Sequence, residues 1–509
     1  MKRFDGKVTV FLGACAVIIF LQRLHTFQEP LECDTALFSV LAQEWRMGRP
    51  LYSDLWDNKP PGIILTYAAA QAVAGSGPRA ILFLETLASV LTLLGIYYAA
   101  FWMTGDRHAG LWAAAFWTLV NAAPYLEADQ PAAEVFVNAC WVWGVAWAFR
   151  AWQEKEVSRD LWIAGSFLAA AGFYKHHIAL VNGIIVLSFM GARITSIKRW
   201  RSFIGPALLP LLAPTALLWT AIFSYFTATC RGPILWDTLV TYSRFYAANT
   251  PFTSGFNREI FYVLAPLTLL AVVGFFLAFK SKNRRWILML GYAAAAWAGI
   301  ILPGRFYAHY YQLLLPPLAM AAGAATSLIG RDRKLSRTSW ASFAWPGAIA
   351  ATLLMIELPF YRLNATEWSQ LKYGEVYVTV KTMGEEIGQN LLPGETFYEV
   401  GYEPGLYYYS RRRPPTGILM ADHWETGPLQ KPFTERILQD LQERKPELLI
   451  TTTFWLSAKG HAQLPLMQWC LDHYRPFPRH SHHGPFLLFA RKGGLLEARL
   501  RETGQHLKP

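Results

Sequence analysis

Eleven apolar runs punctuate the first 361 residues, near 8–24, 78–103, 108–124, 131–150, 160–174, 176–192, 203–228, 259–279, 285–303, 307–329 and 341–361. Each approaches the roughly 20 residues a helix needs to cross a bilayer. A further segment, 61–76, is apolar but short and Ala-rich. After about residue 365 the pattern changes to that of water-soluble sequence. Helix-like 376–390 precedes a strand pattern at 396–400, helix-like 433–443 precedes 448–451, and a helix near 462–473 precedes a strand at 486–490. Alternation of this kind predicts a small α/β unit. The expected fold class is an α-helical polytopic membrane protein of about eleven spans (1–361) with a C-terminal α/β domain (362–509).

Charge settles how the spans are threaded. If 61–76 does not cross, the basic clusters at 106–108, 150–159, 193–201, 280–285 and 331–337 all lie on one side. The positive-inside rule makes that side cytoplasmic. A crossing at 61–76 would turn them all outward, so 61–76 is expected to be a juxtamembrane or re-entrant helix within an outer-face loop, 25–77. The N-terminus is then inside, its basic residues and apolar run forming an uncleaved first span rather than a removed signal, and the C-terminal domain lies outside. A bacterial-type inner membrane is the expected location.

Composition agrees. The chain of 509 residues is 53% hydrophobic and only 16% charged, against about 25% charged in soluble domains. The formal charge of +12 suits membrane loops better than a nucleic-acid surface, so no nucleic-acid partner is expected. Five cysteines (Cys15, Cys33, Cys140, Cys230, Cys470) show no ligand spacing. No internal repeat is evident.

This threading gathers ionisable residues on the outer face: Glu32, Asp34, Asp57 and Lys59 in the first loop, Glu127, Asp129 and Glu134 after the third span, Lys175 with His176 and His177 between the fifth and sixth, then Arg305 and His309. Charges at membrane depth are costly and mark function. An acceptor hydroxyl or amine needs a carboxylate base, and a phosphate leaving group needs cations. Lys59 is a compact, mobile charge, and Pro60-Pro61 opens a helix whose free N–H groups favour an anion. Each residue also has a structural role open to it. Asp34 suits the N-cap of a helix over 35–47, Lys59 and Arg305 suit interfacial anchoring, Asp57 a turn, His309 a packed interface, and Glu134 a helix N-terminus. Arg305 and His309, one helical turn apart, would share a face.

Four blocks carry a resemblance: LYSDLWDNKPPG (51–62), QPAAEVFVN (130–138), GFYKHH (172–177) and GRFYAHYYQLLLPPLA (304–319). Together with the acidic loop after the first helix, they resemble the dolichyl-phosphate-mannose–protein mannosyltransferase-like family. That family belongs to the GT-C membrane glycosyltransferases, which also include the aminoarabinose transferases of lipid A. The likeness covers about residues 1–330. It implies transfer of a sugar from a polyprenyl-phosphate carrier to a protein, lipid or glycan acceptor among membrane lipids. Asp34 would be the base, with Glu32 standing in for the second carboxylate of the family's adjacent Asp-Glu pair. Lys59, Arg305 and Lys175 would meet the carrier phosphate, Glu134 would match the family's acidic residue, and Asp57 and His309 would complete the binding set. A divalent metal fits the carboxylates, but no closed ligand set is visible. A transporter or flippase of anionic lipids is the alternative, against which stands the lack of inverted repeats; a scaffold would leave the clustered charges unexplained. His480, His482 and His483 read as a solvated loop, 411–415 as a charged turn, and Asn364-Ala365-Thr366 as a glycosylation sequon.

Overall fold

Each of the eleven apolar runs is helical in the computed structural model, which describes residues 6–153, 157–193, 197–248, 258–331, 341–457, 461–476 and 484–503. The histidines at 480, 482 and 483 lie outside them. In chain order the first helices are α1 (Gly6–His25), α2 (Cys33–Arg46), α3 (Gly62–Ala74), α4 (Pro78–Thr104), α5 (Arg107–Val120), α6 (Ala133–Gln153), α7 (Val157–Tyr174), α8 (His176–Arg193) and α9 (Ile197–Ala228). Further long helices follow at Arg258–Lys280, Arg285–Ile301, Leu315–Arg331 and Ala341–Glu357. Seven spans among the described residues are long and apolar enough to cross a membrane by length and composition alone. The chain is a multi-pass membrane protein of largely helical architecture. At 13 residues, α3 reaches only about 20 Å, short of the ~30 Å hydrocarbon core.

Two hydrophobic cores hold the molecule. One runs through the helical bundle, where Ile19, Leu93, Trp117, Trp141, Val181, Leu267, Tyr292 and Leu315 are buried together. The other joins the first loop to the tail: Leu37, Trp56, Ile63 and Leu84 are packed with Val380, Tyr398, Ile437, Ile450 and Phe489. The loop after α1 is thus folded against a partner more than 300 residues away in sequence, and neither could bury its apolar face alone.

The tail carries a four-stranded sheet of β1 (Phe397–Glu399), β2 (Leu448–Thr452), β3 (Tyr474–Pro476) and β4 (Phe486–Arg491), in the order β1-β2-β4-β3. β1 and β2 are parallel, with Phe397 opposite Leu448, and the crossover between them contains the helix Gln430–Arg444. The pairs β2·β4 and β3·β4 are antiparallel. Asn364 of the sequon caps the helix Ala365–Tyr373 in a reciprocal capping box with Glu367. In the arginine turn, Arg413 pairs with buried Glu44 at 2.8 Å, and Arg412 donates to the carbonyl of Leu392.

A buried ion triad pins the tail to the bundle. Lys372 Nζ lies 2.6 Å from Glu29 and 2.8 Å from Asp129, while Trp368 Nε1 donates to Asp129 at 2.9 Å. Burial opposes the charge on Lys372, but the two carboxylates hold it well above its ordinary pKa. Replacing Lys372 by Met leaves two buried carboxylates without their cation. Unfolding in detergent should show a loss of roughly 3–5 kcal/mol, with the tail released first to limited proteolysis.

Candidate functional site

A cavity of about 590 Å³ opens where the two cores meet. Its wall includes Asp34 from α2, Asp57 and Lys59 from the first loop, Lys175 from the α7–α8 junction, and Arg305 and His309. The tail supplies Tyr373, Tyr377, Tyr402, Asp422 and His423 to the same space.

The first loop is shaped by its own bonds. Tyr52 takes a left-handed conformation (φ 67°) and donates from its phenol to the Lys59 carbonyl at 2.8 Å. Arg49 binds Asp54 through Nε and Nη2 at 2.8 and 2.7 Å. Trp56 donates from its backbone to the Gly417 carbonyl at 3.0 Å and from its ring to Thr238 at 2.8 Å. An added Cβ on Gly417 would stand 2.1 Å from the Asp54 carbonyl oxygen, so this close approach requires glycine. The last residue of the KPPG block has a similar reason: a Cβ at Gly62 would lie 2.3 Å from the carbonyl of Phe173. Two blocks far apart in sequence, 51–62 and 172–177, therefore meet backbone to backbone, and Pro61 starts α3 as its N-cap.

At the centre, Lys59 Nζ stands 3.4 Å from Asp34 and 3.7 Å from Asp57. Its ammonium also lies over the Phe38 ring, 4.9 Å from the centroid. Burial favours the neutral amine, yet Asp34 and Asp57 drive the Lys59 pKa well up. Burial pushes Asp34 up too, but Lys59, then His309 and Lys175, bring it below the usual carboxylate value. For Asp57 burial wins, and its pKa is raised despite Lys59. The site holds an ammonium within reach of two carboxylates, at the wall of the cavity.

Two expectations are corrected here. The cap of α2 is Glu32, not Asp34: the Glu32 carboxylate accepts from the backbone of Asp34 at 2.8 Å and of Thr35 at 2.6 Å. Glu32 borders the cavity, but its oxygens are occupied by the helix end. Arg305 and His309 do not share a helical face. Gly304 and Phe306 both have positive φ, so Arg305 lies in a bend before the 3₁₀ helix Ala308–Leu314. The two still face one cavity. Glu134 is buried behind the wall, bonded to Lys175, and touches the cavity only through it. Lys175 itself lies over the Tyr310 ring at 4.0 Å.

Arg305 packs on Tyr246, with its guanidinium carbon 3.9 Å from the ring centroid, and its buried Nε has no hydrogen-bond partner among the described residues. His309 Nδ1 lies 3.0 Å from Glu127, which adopts φ 49°. Among the described residues, no group of three or more His, Cys, Asp or Glu side chains is arranged to hold a metal ion, and the five cysteines are free thiols. Sequence reasoning missed Tyr246, Tyr402, Asp422 and His423. They carry no motif; the short helix Ser243–Ala248 places Tyr246, and the docking of the tail brings the other three.

No family model matches the chain, and no curated protein matches it. Solved structures do. ArnT from Cupriavidus metallidurans bound to undecaprenyl phosphate aligns with a TM-score of 0.61 at 14% identity, over 95% of this chain and 98% of that one. The same protein in its apo state gives 0.60 at 13% identity, with the same coverage. The archaeal oligosaccharyltransferase AglB from Archaeoglobus fulgidus, in complex with an inhibitory peptide and a dolichol-phosphate, gives 0.57 at 12% identity, over 95% of this chain and 74% of that one. These neighbours have the GT-C fold, and so does this chain, along nearly its whole length.

The Glu32 cap gives a local prediction. Glu32→Ala should cost about 1 kcal/mol of stability, and hydrogen exchange should quicken at the amides of Asp34 and Thr35 before any other part of α2.

Proposed function

We propose that the protein transfers a glycosyl group from a polyprenyl-phosphate carrier to an acceptor at the outer face of a bacterial-type inner membrane, with the tail domain on that face. The observation that carries this reading is Asp34 paired with Lys59 at 3.4 Å in a cavity that also holds Arg305, Lys175 and His309. Those groups are the equipment for a displacement at an anomeric carbon: a carboxylate base, and cations for the phosphate that leaves. The fold it shares with proteins solved with undecaprenyl phosphate and a dolichol-phosphate supports the same class of carrier.

In this scheme the acceptor O–H or N–H gives its proton to Asp34 while its lone pair attacks the anomeric carbon. The bond from that carbon to the phosphate oxygen breaks, and its electron pair goes to the phosphate. Lys59 and Arg305 stabilise the added negative charge. A single displacement inverts the configuration. Lys59 has a second use, because before the donor arrives its charge is divided between Asp34 and Asp57. A phosphate competes for that ammonium and releases Asp34, which becomes a stronger base only when the donor is in place.

Asp34→Asn should lower the transfer rate by ~10²–10⁴-fold with expression unchanged, measured with radiolabelled lipid-linked sugar; an unchanged rate removes Asp34 as the base. Lys59→Ala should weaken carrier binding by roughly 10–100-fold, the worth of a charge-assisted hydrogen bond, and acceptor binding much less.

The pH dependence has a definite sign. With Asp34 held low by Lys59, the free enzyme keeps its base ionised down to below the ordinary Asp value of about 3.9. The acid limb of kcat/KM, which reports the free enzyme, should therefore lie below that value. The acid limb of kcat should lie at higher pH, because the donor draws Lys59 away from Asp34. Profiles with both limbs at the same pH would contradict the handover.

A further inference from the structure

The bundle side of the cavity carries Arg305, Lys175 paired with Glu134 and His309 paired with Glu127, whereas the tail brings Asp422 and His423. Asp57 is 5% exposed and borders the cavity, and its oxygens have few partners, with Lys59 Nζ 3.7 Å away and the backbone of Asn58 beside them. His423 is 2% exposed, borders the same space, and its Nδ1 has no hydrogen-bond partner among the described residues. Asp422 stands beside it, with Oδ1 3.5 Å from His423 Nε2. Buried acceptors short of donors are costly, so buried Asp57 and His423, with the partly exposed Asp422 beside them, suit a ligand rich in O–H or N–H.

The support behind them is rigid. The 3₁₀ turn Ala421–His423 is anchored by Ala421 N donating to the Gly401 carbonyl at 2.8 Å and by the Tyr242 phenol donating to the Asp422 carbonyl at 3.1 Å. The His423 ring meets Trp56 edge-on at 4.5 Å. Trp56 directly precedes Asp57, so the loop and the tail fix each other's polar groups.

We propose that Asp57, Asp422 and His423 form the subsite for the glycosyl group itself, selecting neutral or amine-bearing sugars over acidic ones. The inference rests on reading the cavity as a carrier-phosphate site, and it adds the direction in which the donor lies. Lys59 stands between Asp34 and Asp57. A phosphate on Lys59 and Arg305 therefore places its sugar beside Asp57, toward the tail, with the anomeric carbon near Asp34. Hydroxyl donors of the sugar satisfy the carboxylates. A uronic acid would set a third negative charge against Asp57 and Asp422.

The test measures binding of three probes to the full chain in nanodiscs: undecaprenyl phosphate, its neutral glucosyl diester and its glucuronosyl diester. In the wild type the glucosyl probe should bind at least tenfold tighter than the glucuronosyl probe, the worth of one charged hydrogen bond. Asp422→Asn should shrink that ratio to about twofold and move the bare phosphate much less. The substitution is isosteric and leaves the carbonyl bonded to Tyr242 in place, so folding is retained. An unchanged ratio in Asp422→Asn, or equal weakening of all three probes, overturns the subsite. If wild type and Lys59→Ala bind bare undecaprenyl phosphate alike, the carrier reading itself has failed, and the subsite falls with it.

Discussion

One ammonium shared by two carboxylates organises this molecule. Lys59 lies within 3.7 Å of both Asp34 and Asp57, out of bulk water. Charges so placed are stable only if each finds its counter-charge, and the surrounding architecture brings them together. Pro60-Pro61 fixes the chain direction after Lys59, Gly62 lets α3 press against Phe173, and Tyr52 and Trp56 hold the loop from the other side. Lys175, paired with Glu134, and His309, paired with Glu127, border the same cavity, as does Arg305.

The same constraint explains why the tail is more than an appendage. Residues of the first loop and α3 share a core with the sheet and helices beyond residue 380. The Lys372 triad ties the tail's first helix to Glu29 and Asp129. Aromatic side chains of the tail, among them Tyr373, Tyr377 and Tyr402, cover one side of the cavity. Cover and cation wall are thus separate in sequence but continuous in packing.

Much of this was legible beforehand, for identifiable reasons. Apolar runs of span length announce helices because the bilayer demands them, and the strands of the tail were marked by β-branched and aromatic clusters such as 396–400. The KPPG block stood out chiefly through its family resemblance, since Lys59 alone also suits interfacial anchoring. What stayed hidden depended on local geometry or on distant contact. Glu32 takes the cap because its extended backbone lets its carboxylate accept from the following amides of Asp34 and Thr35. The bend at Arg305 comes from positive φ at Gly304 and Phe306, and nothing in the spacing of Arg305 and His309 reveals it. Asp422 and His423 look like ordinary loop residues until the tail is folded onto the first loop.

The central claim is that Lys59 exchanges its bond to Asp34 for one to the carrier phosphate. A cryo-electron microscopy structure of the chain with undecaprenyl phosphate bound measures this directly. The account predicts phosphate density within hydrogen-bond distance of Lys59 Nζ and close to Arg305, with the ammonium drawn away from Asp34 and its carboxylate facing open cavity. Phosphate bound elsewhere, or Lys59 still paired with Asp34 when the carrier is in place, would contradict it.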